Sequence, residues 1–207
     1  MQPPSAQPAP ATRRGTGAIA DMDARLPLAW PEVTPARGSV VLRQFRSEDA
    51  HLALELAQDP YIPLISSIPS PCREDDAVEW ILRQNGRFTS GAGYSFAVAD
   101  AESDRAVGQI GLWLTYLPEG RATAGYLMAP EHRGRGRAAD ALAALAAFAW
   151  TIPELHRLEL YIEPWNNAST RTAESAGFGR EGLLRSYQTI GGVRRDMLLY
   201  AAIRPQT

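Results

Sequence analysis

The sequence predicts a single α/β domain of the α+β kind: a mixed, mostly antiparallel sheet of six to seven strands flanked by about four helices. Three observations carry that expectation. The chain has 207 residues, 45% apolar and 21% charged, which suits one well-buried domain with a short tail to spare. Its patterning reads β-α-α-β-β-β-α-β-α-β-β, with hairpin-like turns between several strands and helices between others. One strand also runs straight into a glycine-punctuated turn that opens a long helix.

Residues 1–28 are rich in Pro, Ala, Gly and Thr, lack an apolar period and read as a disordered tail, leaving 29–207 for the domain. Residues 39–45 alternate as a strand. Ser47 is placed to cap a helix over 48–57, with Glu48 and Asp49 in its favourable first turn, and Asp59-Pro60 closes it. Residues 61–71 form an apolar loop punctuated by prolines. A second helix is expected over 75–87, with Val78, Ile81 and Leu82 on one face.

Strands follow at 94–99, 106–115 and 121–128. Asp100, Ser103 and Asp104, then Pro118, Glu119 and Gly120, supply the turns between them. The helix over 135–150 is Ala-rich and apolar on most sides, as a buried helix is. Residues 156–162 read as a strand, 168–176 as a short helix ended by Gly177, and 179–188 with 193–202 as a hairpin about Gly191-Gly192.

Composition excludes several classes. A net charge of −2 gives no global pull toward nucleic acid or anionic membrane, and all 21 basic residues are Arg. The single Cys72 excludes an internal disulfide and a cysteine-rich metal site. No run of about 18 apolar residues spans a bilayer, and residues 1–10 lack a secretory signal, so a cytoplasmic protein without membrane, nucleic-acid or metal partners is expected.

The chemistry lies in Gly125-Tyr-Leu-Met-Ala-Pro-Glu-His-Arg-Gly-Arg-Gly-Arg-Ala-Ala139. Amides at such a helix start are unpaired, and the helix dipole adds partial positive charge. Gly134 and Gly136 remove side chains, so a pyrophosphate can approach the main chain. Arg133, Arg135 and Arg137 add charge. Other readings of the loop stay open: a dinucleotide fingerprint G-x-G-x-x-A, a basic RNA patch, or a plain glycine turn. The dinucleotide reading needs further βαβ units, and only residues 164–207 remain after Glu163.

Arg133-x-x-Gly136-x-Ala138 resembles the R/Q-x-x-G-x-G/A signature of the GNAT (Gcn5-related) N-acetyltransferase superfamily. Downstream, Glu163-Pro-Trp-Asn-Asn-Ala-Ser169, Glu174-Ser-Ala-Gly177-Phe178 and Glu181-Gly-Leu-Leu-Arg185 are similar to motifs of its RimJ/RimL-type branch, as are Gly192-Val-Arg-Arg-Asp196 and Tyr200. The resemblance runs from about residue 38 to 203. It implies a GNAT fold and transfer of an acetyl group from acetyl-CoA to an amine.

On that resemblance the pantetheine arm pairs with main chain at Leu127 and Met128, and an amide near Met128 polarises the thioester carbonyl. The pyrophosphate meets the segment Arg133, Gly134, Arg135, Gly136, Arg137 and Ala138, while Asn166 and Ser169 face the pantetheine and the sulfur. Asn166 and Ser169 also suit a turn and a helix cap. The acceptor groove falls to the 61–71 loop, the helix around Trp80, and Tyr61, Trp113, Tyr116, Trp165 and Tyr187.

Two departures stand out. Thr123 occupies the place where many relatives have a general-base Glu, and Ala173 the place of a general-acid Tyr. Ser169 then becomes the candidate for protonating the sulfur, and Glu163 or Asp196 the candidate base. An amine with a pKa near 10.4 is only about one part in a thousand neutral at pH 7.4, a cost of roughly 4 kcal/mol; an α-amino group costs less than about 1 kcal/mol. Weak base assistance therefore favours the α-amino group of a peptide or protein N-terminus. Small amines (an antibiotic, polyamine or amino acid), a non-catalytic acyl-CoA-binding module, and a homodimer through the last strands are further expectations.

Overall fold

The computed structural model describes residues 28–206. The tail expectation, apart from Leu28, lies outside those residues. Leu28 is part of the fold: its amide donates to the Phe88 carbonyl at 2.8 Å. Trp30 packs its ring 4.9 Å from Phe96 and 5.2 Å from Phe88.

One sheet of eight strands, β1 (Ala36–Arg37), β2 (Val40–Arg43), β3 (Gly93–Asp100), β4 (Ala106–Trp113), β5 (Arg121–Met128), β6 (Arg157–Ile162), β7 (Gly179–Ile190) and β8 (Val193–Ile203), forms the centre. Its order is β1-β2-β3-β4-β5-β6-β8-β7, one more strand than the upper expectation because the short β1 was not legible. Neighbours are antiparallel except β5 and β6, which are parallel. The helices are α1 (Ala50–Ala57), α2 (Ile62–Ile65), α3 (Glu74–Thr89), α4 (Arg137–Ala149) and α5 (Asn167–Ser175).

The two faces of the sheet carry separate cores. On one, α4 and α5 cover Phe96, Ile110, Leu112, Leu158 and Leu160. The Ala-rich composition of α4 lets it lie close, with Ala141, Leu142, Leu145 and Ala149 fully buried. On the other face α1 and α3 enclose Phe45, Leu52, Leu56, Trp80 and Ile81.

Three expectations need correction. α3 buries Ala77, Trp80, Ile81 and Gln84, whereas Val78 and Leu82 are 44% and 65% exposed. The large Trp80 ring sets the face, packed edge-on 5.1 Å from Phe45. The first helix starts as a 3-10 turn over Ser47–Asp49 with Arg46, not Ser47, at the cap; Asp49 accepts from the Arg46 amide at 2.8 Å. The expected 61–71 loop contains α2, with Pro63 tolerated in its first turn.

The turn between β3 and β4 is fastened to the start of α4. Asp100 accepts from the Ser103 amide at 3.1 Å and hydroxyl at 2.9 Å, and it also pairs with Arg137. These contacts, the Ser103 bonds first, hold its carboxyl at about 2. A depressed carboxyl contributes stability present above its unfolded value of about 4, lost as pH falls toward about 2. Asp100→Asn is therefore expected to flatten the stability profile across that window, measured by urea midpoints at successive pH values, while Glu102→Gln leaves it steep.

Candidate active site

The site begins where two strands part. β5 and β6 pair only at Arg121–Arg157, Ala122–Leu158 and Thr123–Glu159. Beyond Thr123, β5 keeps its partner β4 but has no ladder to β6. Ala129 donates to the Val107 carbonyl at 3.0 Å, which makes Met128–Gly108 a non-hydrogen-bonded pair. By the same alternation Tyr126 and Met128 turn their main-chain groups toward the opening. Leu127 turns its own toward β4, so its amide is not the one offered to a ligand. The Met128 carbonyl is already taken by Arg133 Nε at 3.0 Å.

Below the opening, the glycine loop turns into α4. Gly134 and Gly136 have φ of 74° and 77°, the left-handed region that glycine adopts freely, and a Cβ at either would meet no atom within 4 Å. The space over the loop is open rather than filled by protein. The Ala139 and Asp140 amides bond back to Gly136, but among the described residues no group accepts from the amides of residues 134–138. Those donors, at the positive end of a thirteen-residue helix, form an anion cradle.

The arginines divide differently from the sequence expectation. Arg133 pairs with Asp59 at 2.7 Å and Arg137 with Asp100, so both are anchored and only partly free to add charge. Arg135 is exposed and lies outside the lining of the cavity. Burial, with Arg137 nearby, holds His132 below its ordinary value.

Two cavities occupy the opening. The larger, about 760 Å³, runs over the glycine loop and is bordered by Met128, Arg133, Gly134, Gly136, Arg137 and Ala138. The smaller, about 210 Å³, lies on the α3 side and includes Trp80, Trp113 and Glu163. They meet along Tyr61, Ile65, Tyr126, Leu127, Asn166 and Ser169, which border both. A long ligand in the larger cavity and a small one in the other touch there.

Asn166 caps α5, its Oδ1 accepting from the Ser169 amide at 3.0 Å. The capping role expected of Ser169 thus belongs to Asn166, and the Ser169 hydroxyl is left to the junction. Tyr126 stands beside it, with its hydroxyl closed off from solvent and without a completed hydrogen bond. Burial pushes this phenol up, and the nearby Ser169 and Thr172 hydroxyls pull it partly back.

Glu163 is 5% exposed; one oxygen lies 3.7 Å from Arg195 Nε and the other has no partner. Asp196, the alternative base, accepts from the Ser186 amide at 2.7 Å in the hairpin and borders neither cavity. Tyr187 also borders neither; it stacks on Tyr161, which does line the smaller cavity, at 4.9 Å. Tyr61 and Trp165 meet edge-on at 5.2 Å across the mouth.

Sequence reasoning missed four lining residues. Gln84, Ser95 and Gln109 form a buried chain in which Ser95 donates to Gln84 Oε1 and Gln109 donates to Ser95, each at 3.0 Å. Gln109 was discoverable as the polar residue in an apolar strand. Tyr126 was inside the quoted segment but had no assigned role. Arg87 offered no local signal. Among the described residues no group of three or more His, Cys, Asp or Glu gathers to hold a metal ion, and no helix is long and apolar enough to cross a membrane.

Comparison with known proteins bears on this geometry. A family model described as an acetyltransferase (GNAT) domain matches residues 39–179. The chain is 28% identical over 165 residues to an uncharacterized N-acetyltransferase, p20, of Bacillus licheniformis, covering 80% of this chain and 93% of that one. Among solved structures it is similar to RimJ of Mycobacterium smegmatis in complex with CoA-disulfide, with a TM-score of 0.70 and 26% identity over 82% of this chain and 84% of that one. A ribosomal-protein-S5-alanine acetyltransferase of Vibrio fischeri shares the fold, with a TM-score of 0.66 at 20% identity, covering 84% and 97%.

Proposed function

Because the chain belongs to the GNAT acetyltransferase family, we propose that it moves the acetyl group of acetyl-CoA to the α-amino group at a peptide or protein N-terminus in the cytoplasm. The observation that carries the reading is the junction of two cavities, one over an amide cradle and one bordered by an unpartnered carboxylate.

The amides of residues 134–138 hold the coenzyme's pyrophosphate, and the open main-chain groups of Tyr126 take its pantetheine arm. The Met128 amide, free on the open side, is placed to hold the carbonyl oxygen as it gains charge. Glu163 accepts the acceptor's proton, and Ser169 gives one to the departing sulfur. With Thr123 and Ala173 where a carboxylate and a phenol commonly stand, both proton transfers fall to the β6–α5 corner. That weak assistance suits an α-amino group, of which about a fifth to a third is already neutral near pH 7.4. Structural neighbours that include a RimJ and a ribosomal-protein-S5-alanine acetyltransferase agree with a protein acceptor.

The test is thiol release from acetyl-CoA with a panel of peptides, polyamines, aminoglycosides and amino acids. Peptides are expected to give the highest kcat/KM; a polyamine exceeding them overturns the acceptor assignment. Ser169→Ala is expected to lower kcat by about 10²-fold, the size of a lost proton donor, with CoA affinity changed no more than a few-fold in calorimetry.

A further inference from the structure

The smaller cavity is bordered by two charged side chains that each keep one atom without a partner among the described residues. Glu163 Oε2 and Arg87 Nη1 are both closed off from solvent and without a hydrogen-bond partner. Among the described residues Glu163 has its ion pair with Arg195, on the other oxygen, and Arg87 has none with any carboxylate. Of the residues bordering this cavity, Arg87 is the one cation and Glu163 the one carboxylate. Opposite charges inside about 210 Å³ ordinarily close on each other; here the fold keeps them apart.

Arg87 is held by what lies beneath it. Gly111 and Gly125 face each other across β4 and β5. A Cβ at Gly111 would come within 2.8 Å of the Trp113 ring, and one at Gly125 within 3.2 Å, so the indole lies across a floor that only glycine provides. The Arg87 guanidinium stacks over that ring, 5.1 Å from its centroid. Stacking fixes the plane of the fork; Arg87 borders the cavity, and its Nη1 has no hydrogen-bond partner. Glu163 sits just past the end of β6, on the far side of the opening beside Asn166. Gln84 and Gln109, locked to Ser95, line the space with neutral amides.

We propose that this cavity is a zwitterion pocket, in which Glu163 receives the acceptor's amino group and Arg87 a carboxylate carried a few bonds away. The proposal rests on the reading of the cavity as the acceptor site and narrows the acceptor to an acidic one. A single guanidinium balances one carboxylate but not a doubly charged phosphate, and the pair as a whole is neutral, as a zwitterion is. The carboxylate has two possible sources: the side chain of an acidic residue at the start of a peptide, or the α-carboxylate of a free amino acid.

The test is calorimetric titration of the full-length, CoA-loaded protein with peptides Glu-Ala-Ala-Ala and Gln-Ala-Ala-Ala, amidated at the C-terminus, and with free glutamine and glutamate α-amide. The Glu peptide is expected to bind about ten- to a hundredfold more tightly than the Gln peptide, the range for a hydrogen bond to a charged group. Arg87→Gln should reduce that ratio to within about twofold, and Arg87→Lys should retain part of it; circular dichroism establishes that both variants fold. Free glutamine binding as tightly as the Glu peptide supports the pocket with the α-carboxylate as its source, and glutamate α-amide doing so supports the side chain. Equal binding of the two peptides by the unaltered protein, no binding of either at millimolar concentration, or a ratio unchanged in a folded Arg87→Gln overturns the proposal. If charge discrimination persists while no amine is acetylated, the transferase acceptor reading falls and the pocket stands.

Discussion

Gly136→Glu is expected to raise the CoA dissociation constant about a hundredfold. Gly136 holds φ at 77° as the N-cap of α4, a conformation costing about 1–2 kcal/mol in other residues. Its own Cβ would meet nothing, so the strain is conformational rather than steric. The longer side chain then reaches into the open space over the loop and sets a carboxylate where the cradle attracts an anion. Reversing that helix-terminus attraction adds about 0.3–2 kcal/mol, and the two effects sum to about 3 kcal/mol, or roughly a hundredfold. Gly136→Ala carries the strain without the charge and should lose about tenfold or less. Calorimetry with CoA measures both; a Gly136→Glu protein that binds within threefold of the original removes the loop from the binding site.

Glu163→Gln is expected to lower kcat by about 10²-fold, the low end of a general base's worth and in keeping with weak assistance. The same change should leave the Tm unchanged or raise it. One oxygen of Glu163 is buried without a partner, and the other lies 3.7 Å from a half-exposed arginine. A neutral amide relieves the unanswered charge and gives up only a loose contact. Activity and stability therefore move in different directions. A structural carboxylate behaves the other way, losing Tm and keeping kcat, so a pair of measurements on one variant separates the roles.

The glycine loop was legible because its geometry is main-chain geometry. Amides and left-handed turns appear in a sequence as glycines at a strand-to-helix junction, and the motif can be read without knowing what surrounds it. The succession of elements along the chain was legible for a similar reason, since turns and alternation are local. The α3 face was not: Ala77 and Gln84 carry little hydrophobic signal, Val78 and Leu82 carry much, and the Trp80 ring decides which side is buried. Arg87 was invisible for a deeper reason. An arginine in the last turn of a helix reads as a favourable surface charge. Only the lie of Trp113 over two glycines, one in its own strand β4 and one in β5, makes it part of a pocket. The smaller cavity draws on α2, α3, β4, β5, β6, α5, β7 and β8, and no single stretch of chain contains its lining.

The parting of β5 from β6 has a consequence for handling the protein. A ladder that stops after Thr123 and Glu159 leaves an unpaired edge in the interior of an eight-stranded sheet, not at its rim. Open edges of this kind recruit other extended chains, and proteins ordinarily blunt them. If the pantetheine arm lies along β5 as proposed, the coenzyme serves as a short stand-in strand, and bound CoA is part of the fold's closure. Occupancy at a hundred times the dissociation constant contributes about 2.7 kcal/mol. Preparations stripped of CoA should therefore melt lower and associate more readily on warming than loaded ones, with nothing in the chain itself altered.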